Sequence, residues 1–153
     1  MIDSFMGPYR WLSNFWPCSI AYDGVAYPSA EHAFQAAKTL EHKERLRFAE
    51  VSLAYAIGPN MTCAEAKRAG RALKIRPDWE QVKMQVMRDV LREKFKHVDL
   101  AQKLLDTGNE ALIEGNTWGD RVWGQCPVGV GENLLGRLLM EIRADLQRRF
   151  AYR

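Results

Sequence analysis

The sequence predicts a compact, mostly helical α+β fold with a small β component, held in a single domain of residues 1–153, and three observations predict it. Apolar residues recur at helical spacing in two long segments, Trp79 to Phe95 and Leu135 to Phe150. A hairpin signal, Asp23-Gly24 between two short runs rich in aliphatic and tyrosine residues, supplies the β component. The composition, 47% hydrophobic and 27% charged over 153 residues, is that of a packed globular chain, not of a disordered or fibrous one.

The elements follow in chain order. Ser19 to Tyr22 and Val25 to Tyr27 form the hairpin strands, because Asp23-Gly24 tolerates the positive φ angles of a type I′ turn, and Pro28 ends it. Ser29 caps a helix running to about Leu40, with Glu31 in its first turn, and a second helical stretch runs from Glu41 to Val51. Gly58-Pro59-Asn60 breaks the chain, and Thr62-Cys63-Ala64-Glu65 has the spacing of a capping box that opens a short helix towards Gly70. Pro77-Asp78 starts the longest helix, where Val82, Val86 and Val90, widened by Met87, Leu91 and Phe95, form the apolar stripe. Leu100 to Leu105 is a short helix stopped by Thr107-Gly108-Asn109, and Ala111-Leu112-Ile113 fits a helix or a short strand. Residues 116–131 are a glycine-rich loop carrying Trp118 and Trp123, and Leu135, Leu138, Leu139, Ile142, Leu146 and Phe150 stripe a final helix.

Several classes are excluded. No basic stretch leads into an apolar run near Met1 and no segment approaches a membrane span, so no secretion signal and no membrane partner are expected. Cys18, Cys63 and Cys126 are odd in number and widely separated, which points to reduced thiols and a cytoplasmic chain. His32, His42 and His97 lack metal-ligand spacing, so neither a metal nor a cofactor is expected. A formal charge of +3 is compatible with an anionic ligand but too small to mark a nucleic-acid binder.

Three segments can carry chemistry. On the helix after Ser29, Glu31, Gln35 and Lys38 fall within one arc at about 100° per residue, opposite Ala33, Ala36 and Ala37. An acidic first turn and a basic last turn suit any surface helix through its dipole; the functional alternative is a carboxylate and an amine on one pocket wall. Held as an anion, Glu31 would serve as a base or as a stabiliser of an oxocarbenium ion. In Trp118-Gly119-Asp120, Trp118 can stack on a base, while Asp120 can bind ribose hydroxyls, act as a second carboxylate, or simply make a turn. In Gly129-Val130-Gly131-Glu132-Asn133 the glycines can expose backbone N–H groups to a phosphate, with Asn133 as a plain helix cap the generic alternative.

Taken in order, Leu12-Ser13-Asn14-Phe15, Asp23-Gly24, Ser29-x-Glu31-His32-x-Phe34-Gln35-x-x-Lys38, Lys67, Gly70, Trp79, Lys94-Phe95, Thr107-Gly108, Glu114, Trp118-Gly119-Asp120, Gly131-x-Asn133 and Leu135-Gly136 resemble the YbiA-like family, also called the NADAR superfamily. The resemblance spans almost the whole chain. It implies a compact, mostly helical α+β fold and hydrolysis of an N-glycosidic bond between a ribose anomeric carbon and an exocyclic nitrogen. Two activities are associated with the family: removal of ADP-ribose from guanine in DNA, and cleavage of ribosylaminopyrimidine 5′-phosphates, which are early riboflavin intermediates. The family's catalytic Glu maps onto Glu31, its pocket Trp onto Trp79 and its acidic loop residue onto Asp120.

Lys38 has a chemical case of its own, since a lysine beside a carboxylate can capture the ring-opened sugar as a Schiff base. Asn14, Gln35, Trp118, Gly131 and Asn133 are assigned to binding the substrate. The stretch Glu31 to Lys38, with Ala33 where riboflavin-type members more often carry an aromatic residue, resembles the ADP-ribosyl branch. The expected partner is therefore an ADP-ribose-containing or ribose-phosphate substrate, with ADP-ribosylated DNA its largest form and no obligate protein partner. A non-catalytic ADP-ribose- or NAD-binding module is the rival from another class.

Overall fold

The computed structural model describes residues 1–50 and 60–151. The chain gathers into two compact units, residues 14–94 and a second made of 1–13 with 95–153. The helical stretch expected from Glu41 to Val51 is shorter than expected, running only from His42 to Leu46 before residues 47–50 turn away from helix; Val51, and Gly58-Pro59 of the expected break, lie outside the described residues.

In the 14–94 unit, strands β1 (Pro17–Tyr22) and β2 (Val25–Ser29) pair antiparallel, with Tyr22 opposite Val25 and Ile20 opposite Tyr27. Asp23 and Gly24 both take positive φ, 49° and 81°, as the tight turn demands. The pairing reaches beyond the expected strands to Pro17 opposite Ser29, through an irregularity between Pro17 and Ile20. Pro28 therefore lies inside β2, which an edge strand tolerates because its missing N–H would face away from the partner.

Helix α1 (Ala30–Ala36) follows at once, and α2 (His42–Leu46) pins the hairpin. The buried Arg45 donates through Nη1 to Asp23 Oδ2 at 2.7 Å and through Nε to the Thr39 carbonyl at 2.8 Å, with its guanidinium 5.7 Å from the Tyr22 ring centre. Helix α3 (Cys63–Ala72) opens on the expected capping box, the Thr62 side chain accepting from Glu65 N and the Glu65 carboxylate from Thr62 N. Helix α4 (Trp79–Lys94) buries Val86, Met87, Val90 and Leu91, while Val82 is only half-buried.

In the other unit, a 3₁₀ segment (Gly7–Leu12) ends on the buried Trp11 and Leu12. Leu112 forms a parallel bridge with Ile2, which settles Ala111-Leu112-Ile113 as extended chain. Helices α5 (Val98–Asp106) and α6 (Leu134–Ala151) are joined by Arg143, which donates to Thr107 Oγ1 at 2.8 Å. Of the expected α6 stripe, Leu135, Leu138, Leu139, Ile142 and Leu146 are buried, whereas Phe150 sits exposed in the last turn. Among the described residues, no helix is long and apolar enough to cross a membrane.

The last residue of α4 has a testable consequence. Lys94 is wholly buried, and burial pushes its ammonium down to about 8, with Cys18 partly opposing the shift. A lysine in the unfolded chain stays protonated up to about 10.5, so between about 8 and 10.5 the unfolded state holds the extra proton and stability rises with pH. The wild type is expected to gain up to about 3 kcal/mol relative to K94M across that window. Chemical denaturation of both proteins at about pH 7 and at about pH 10, which together span most of the window, measures it; parallel pH dependences would show that Lys94 does not ionise there.

Candidate active site

The polar groups of α1 meet a packed interior. All seven of its residues are buried, and Glu31 is only 7% exposed. That removes the surface-helix explanation of Glu31, because a helix dipole favours a surface carboxylate by about 0.3–1 kcal/mol, while desolvating an ion costs several kcal/mol. A carboxylate kept under cover needs built support, and α1 provides it one turn later: Gln35 Nε2 donates to Glu31 Oε1 at 2.8 Å. The backbone is held as well, Glu31 N donating to the Asn14 carbonyl at 3.0 Å.

Gln35, expected to bind the substrate, packs against Glu31 and Gly70. Its amide must turn its NH2 towards the carboxylate, which leaves Oε1 buried without a hydrogen-bond partner among the described residues. That oxygen occupies the space of a missing side chain, since a Cβ on Gly70 would lie 1.9 Å from it. Gly70 of α3 is the hole into which the support of Glu31 fits. In G70A the methyl group must displace Gln35, while alanine's helix propensity gains about 1 kcal/mol. The expected result is a fall of about tenfold in kcat with little change in Tm. The double variant G70A/Q35A should then match Q35A, as steady-state kinetics on the four proteins would reveal; additive losses would break the link.

Lys38 departs from its expected place. α1 ends at Ala36, and Lys38 N donates to the Gln35 carbonyl at 3.2 Å in a tighter turn, so Lys38 follows the helix rather than sitting on its arc. Its own carbonyl accepts from Arg76 N at 2.8 Å. The side chain is half-buried, and burial lowers its pKa below the usual lysine value; Glu31 opposes that shift, and Arg71 and Lys67 reinforce it. Glu31 and Lys38 are thus electrostatic neighbours, as sequence spacing suggested, by a different backbone route.

Asn14 is buried, its Nδ2 3.6 Å from Met87 Sδ and its Oδ1 without a partner among the described residues, so it keeps an acceptor for a ligand N–H or O–H. Trp79 opens α4 and is buried against Phe34, ring centres 5.1 Å apart and tilted by 56°. It forms an aromatic wall beside α1.

One network was not legible as a site. His32 Nε2 faces the Met61 carbonyl, which can only accept, so Nε2 carries the proton and Nδ1 accepts from the Ser29 hydroxyl at 2.6 Å. Ser29 Oγ also accepts from His32 N at 3.2 Å and lies 3.5 Å from Cys63 Sγ. Ser29-x-x-His32 was visible as a cap and a histidine, but its partners Met61 and Cys63 come from about thirty residues further on.

The remaining assigned residues belong to the other unit. Trp118 is 58% exposed. Asp120 Oδ1 accepts from Val122 N at 3.1 Å and Trp123 N at 2.9 Å, the turn-making role that was its generic alternative. Gly131 takes φ 144°, and a Cβ there would lie 2.3 Å from the Gly124 carbonyl. Asn133 takes φ 51°; its Nδ2 donates to the Leu112 carbonyl at 2.9 Å and its Oδ1 accepts from Glu114 N at 3.0 Å. Both side-chain groups of Asn133 clamp backbone.

A NADAR domain model matches residues 4–147. The chain is 42% identical over 139 residues to the N-glycosidase YbiA of Escherichia coli (strain K12), covering 90% of this chain and 82% of that one. It is 36% identical over 143 residues to an N-glycosidase of Nostoc punctiforme, covering 92% and 87%. It is also 38% identical over 147 residues to a riboflavin biosynthesis protein of Vibrio vulnificus, covering 94% of this chain but only 37% of that one's length. The NMR structure of Escherichia coli YbiA superposes with a TM-score of 0.80 at 37% identity, covering 100% of this chain and 90% of that one. The chain belongs to the NADAR family. Its class is that of its relatives, an N-glycosyl hydrolase with an α+β fold.

Proposed function

We propose that the chain removes ADP-ribose from ADP-ribosylated guanine, with Glu31 and Lys38 acting on one anomeric carbon and residues 1–153 working as one domain. The observation that carries the reading is the supported, buried Glu31 beside an amine whose burial favours its neutral form. In the reaction, the C1–O4′ bond of the N-linked ribose breaks, O4′ takes a proton, and the nitrogen lone pair forms C1=N. Neutral Lys38 Nζ adds to C1, a proton passes through Glu31 to the exocyclic nitrogen, and the C1–N bond breaks, releasing the base as its amine. Water then adds to the C1=Nζ imine, freeing Lys38 and the sugar, which recloses.

The second reading is cleavage of ribosylaminopyrimidine 5′-phosphates, favoured by relatives whose names place them in riboflavin biosynthesis. Ala33, the motif residue that favoured the guanine substrate, is fully buried in α1, so any influence on substrate choice works through packing. The resemblance gives Asp120 a catalytic role, and Trp118, Gly131 and Asn133 are assigned to substrate binding by inference from their residue types, each role tested by single substitution. The deciding experiment supplies both substrates to the purified protein and identifies the products by mass spectrometry. Free guanine-containing DNA and ADP-ribose are expected; release only of a free aminopyrimidine selects the second reading, and tight ADP-ribose binding without product selects a binding module.

A further inference from the structure

Two contacts fix how α3 lies on α1. Cys63, at the start of α3, is 3.5 Å from Ser29 at the cap of α1, and Gly70, in the last turn of α3, holds Gln35. The two helices therefore run side by side in the same direction, with Cys63, Ala66 and Gly70 as the contact face of α3. At about 100° per residue, Lys67 and Arg71 fall on one flank of that face, a single turn apart. Lys67 is half-buried and Arg71 exposed, and both are close enough to Lys38 to act on its charge.

Cations collected around a lysine repel one another unless an anion joins them. Yet the acidic residue of α3, Glu65, is taken up in the capping box, and among the described residues neither Lys67 nor Arg71 forms an ion pair. We infer that Lys67 and Arg71 form the phosphate subsite of the α1 site, holding the phosphoryl group on C5′ of the ribose whose C1 lies at Glu31 and Lys38. This deepens the proposed function and rests on it for the identity of the sugar. A guanidinium and an ammonium a turn apart suit the oxygens of a diphosphate, which can engage both, as well as a monophosphate, which sits between them.

The test is calorimetric titration of the whole chain with ADP-ribose, ribose 5-phosphate and inorganic pyrophosphate at low and high salt. K67A/R71A is expected to weaken the phosphate ligands by about 30-fold or more and to flatten their salt dependence. R92A, which removes the same kind of charge from the exposed side of α4, is the control. K67R/R71K, which keeps both charges, should stay within about threefold of wild type, so a folding defect in the alanine variant does not decide the matter. Equal weakening by single variants towards pyrophosphate but not ribose 5-phosphate assigns the subsite to a diphosphate. Binding in K67A/R71A equal to that in R92A, or no phosphate binding by the wild type, overturns the inference. Turnover of the two substrates is measured separately: phosphate binding without turnover sinks the hydrolase reading alone, and turnover with phosphate affinity unmoved in K67A/R71A sinks the subsite alone.

Discussion

E31Q is expected to lower turnover by about 10² or more while leaving the fold intact. The substitution keeps the shape of the side chain, and an amide oxygen can still accept from Gln35 Nε2, so the support at 2.8 Å survives. Only the charge and the capacity to carry a proton are lost. The variant also separates two roles. Glu31 raises the pKa of Lys38, so its neutralisation leaves more of the free amine at neutral pH. If Glu31 mattered only through the ionisation of Lys38, E31Q would be as active as wild type or more so. A large loss in kcat with an unchanged melting curve therefore identifies Glu31 as the proton carrier; wild-type kcat in E31Q would remove it from the chemistry.

K38M is expected to lose about 10² or more in turnover, and K38R nearly as much, because a guanidinium keeps the charge but does not form an imine. Activity retained in K38R would reassign Lys38 to electrostatic support. The pH profile has a definite sign. Burial disfavours the ammonium, so the free amine becomes available below the usual lysine range, and kcat/KM should rise with pH through that lowered value before levelling off. A reducing agent such as cyanoborohydride, added during turnover, should convert the imine into a stable secondary amine carrying the sugar on Lys38. Peptide mass mapping would find it there, and its absence under turnover would favour direct attack by water.

How far the sequence goes depends on where each instruction resides. The Asp23-Gly24 turn and the Thr62 to Glu65 cap were legible because the residues that need the conformation are the ones that form it. The end of α1 was not: Ala37 and Lys38 are good helix residues, and the stop comes with a carbonyl drawn off to Arg76, far along the chain. Arg45, in a run of charged residues that reads as surface, is buried because Asp23 and the Thr39 carbonyl surround it. Glu31 and Lys38 were named from spacing and resemblance. Gln35 was named from the same arc, but its fit against Gly70 was not legible, because the glycine that makes room for it lies on another helix.

The bond from Arg76 N to the Lys38 carbonyl carries a mechanical consequence. It ties the chain that bears the amine to the turn that launches Trp79, so the two cannot drift apart without breaking it. The amide proton of Arg76, which belongs to a loop and would otherwise exchange quickly with solvent, becomes a sentinel: the slowness of its exchange gauges how tautly the turn bearing Lys38 is strung.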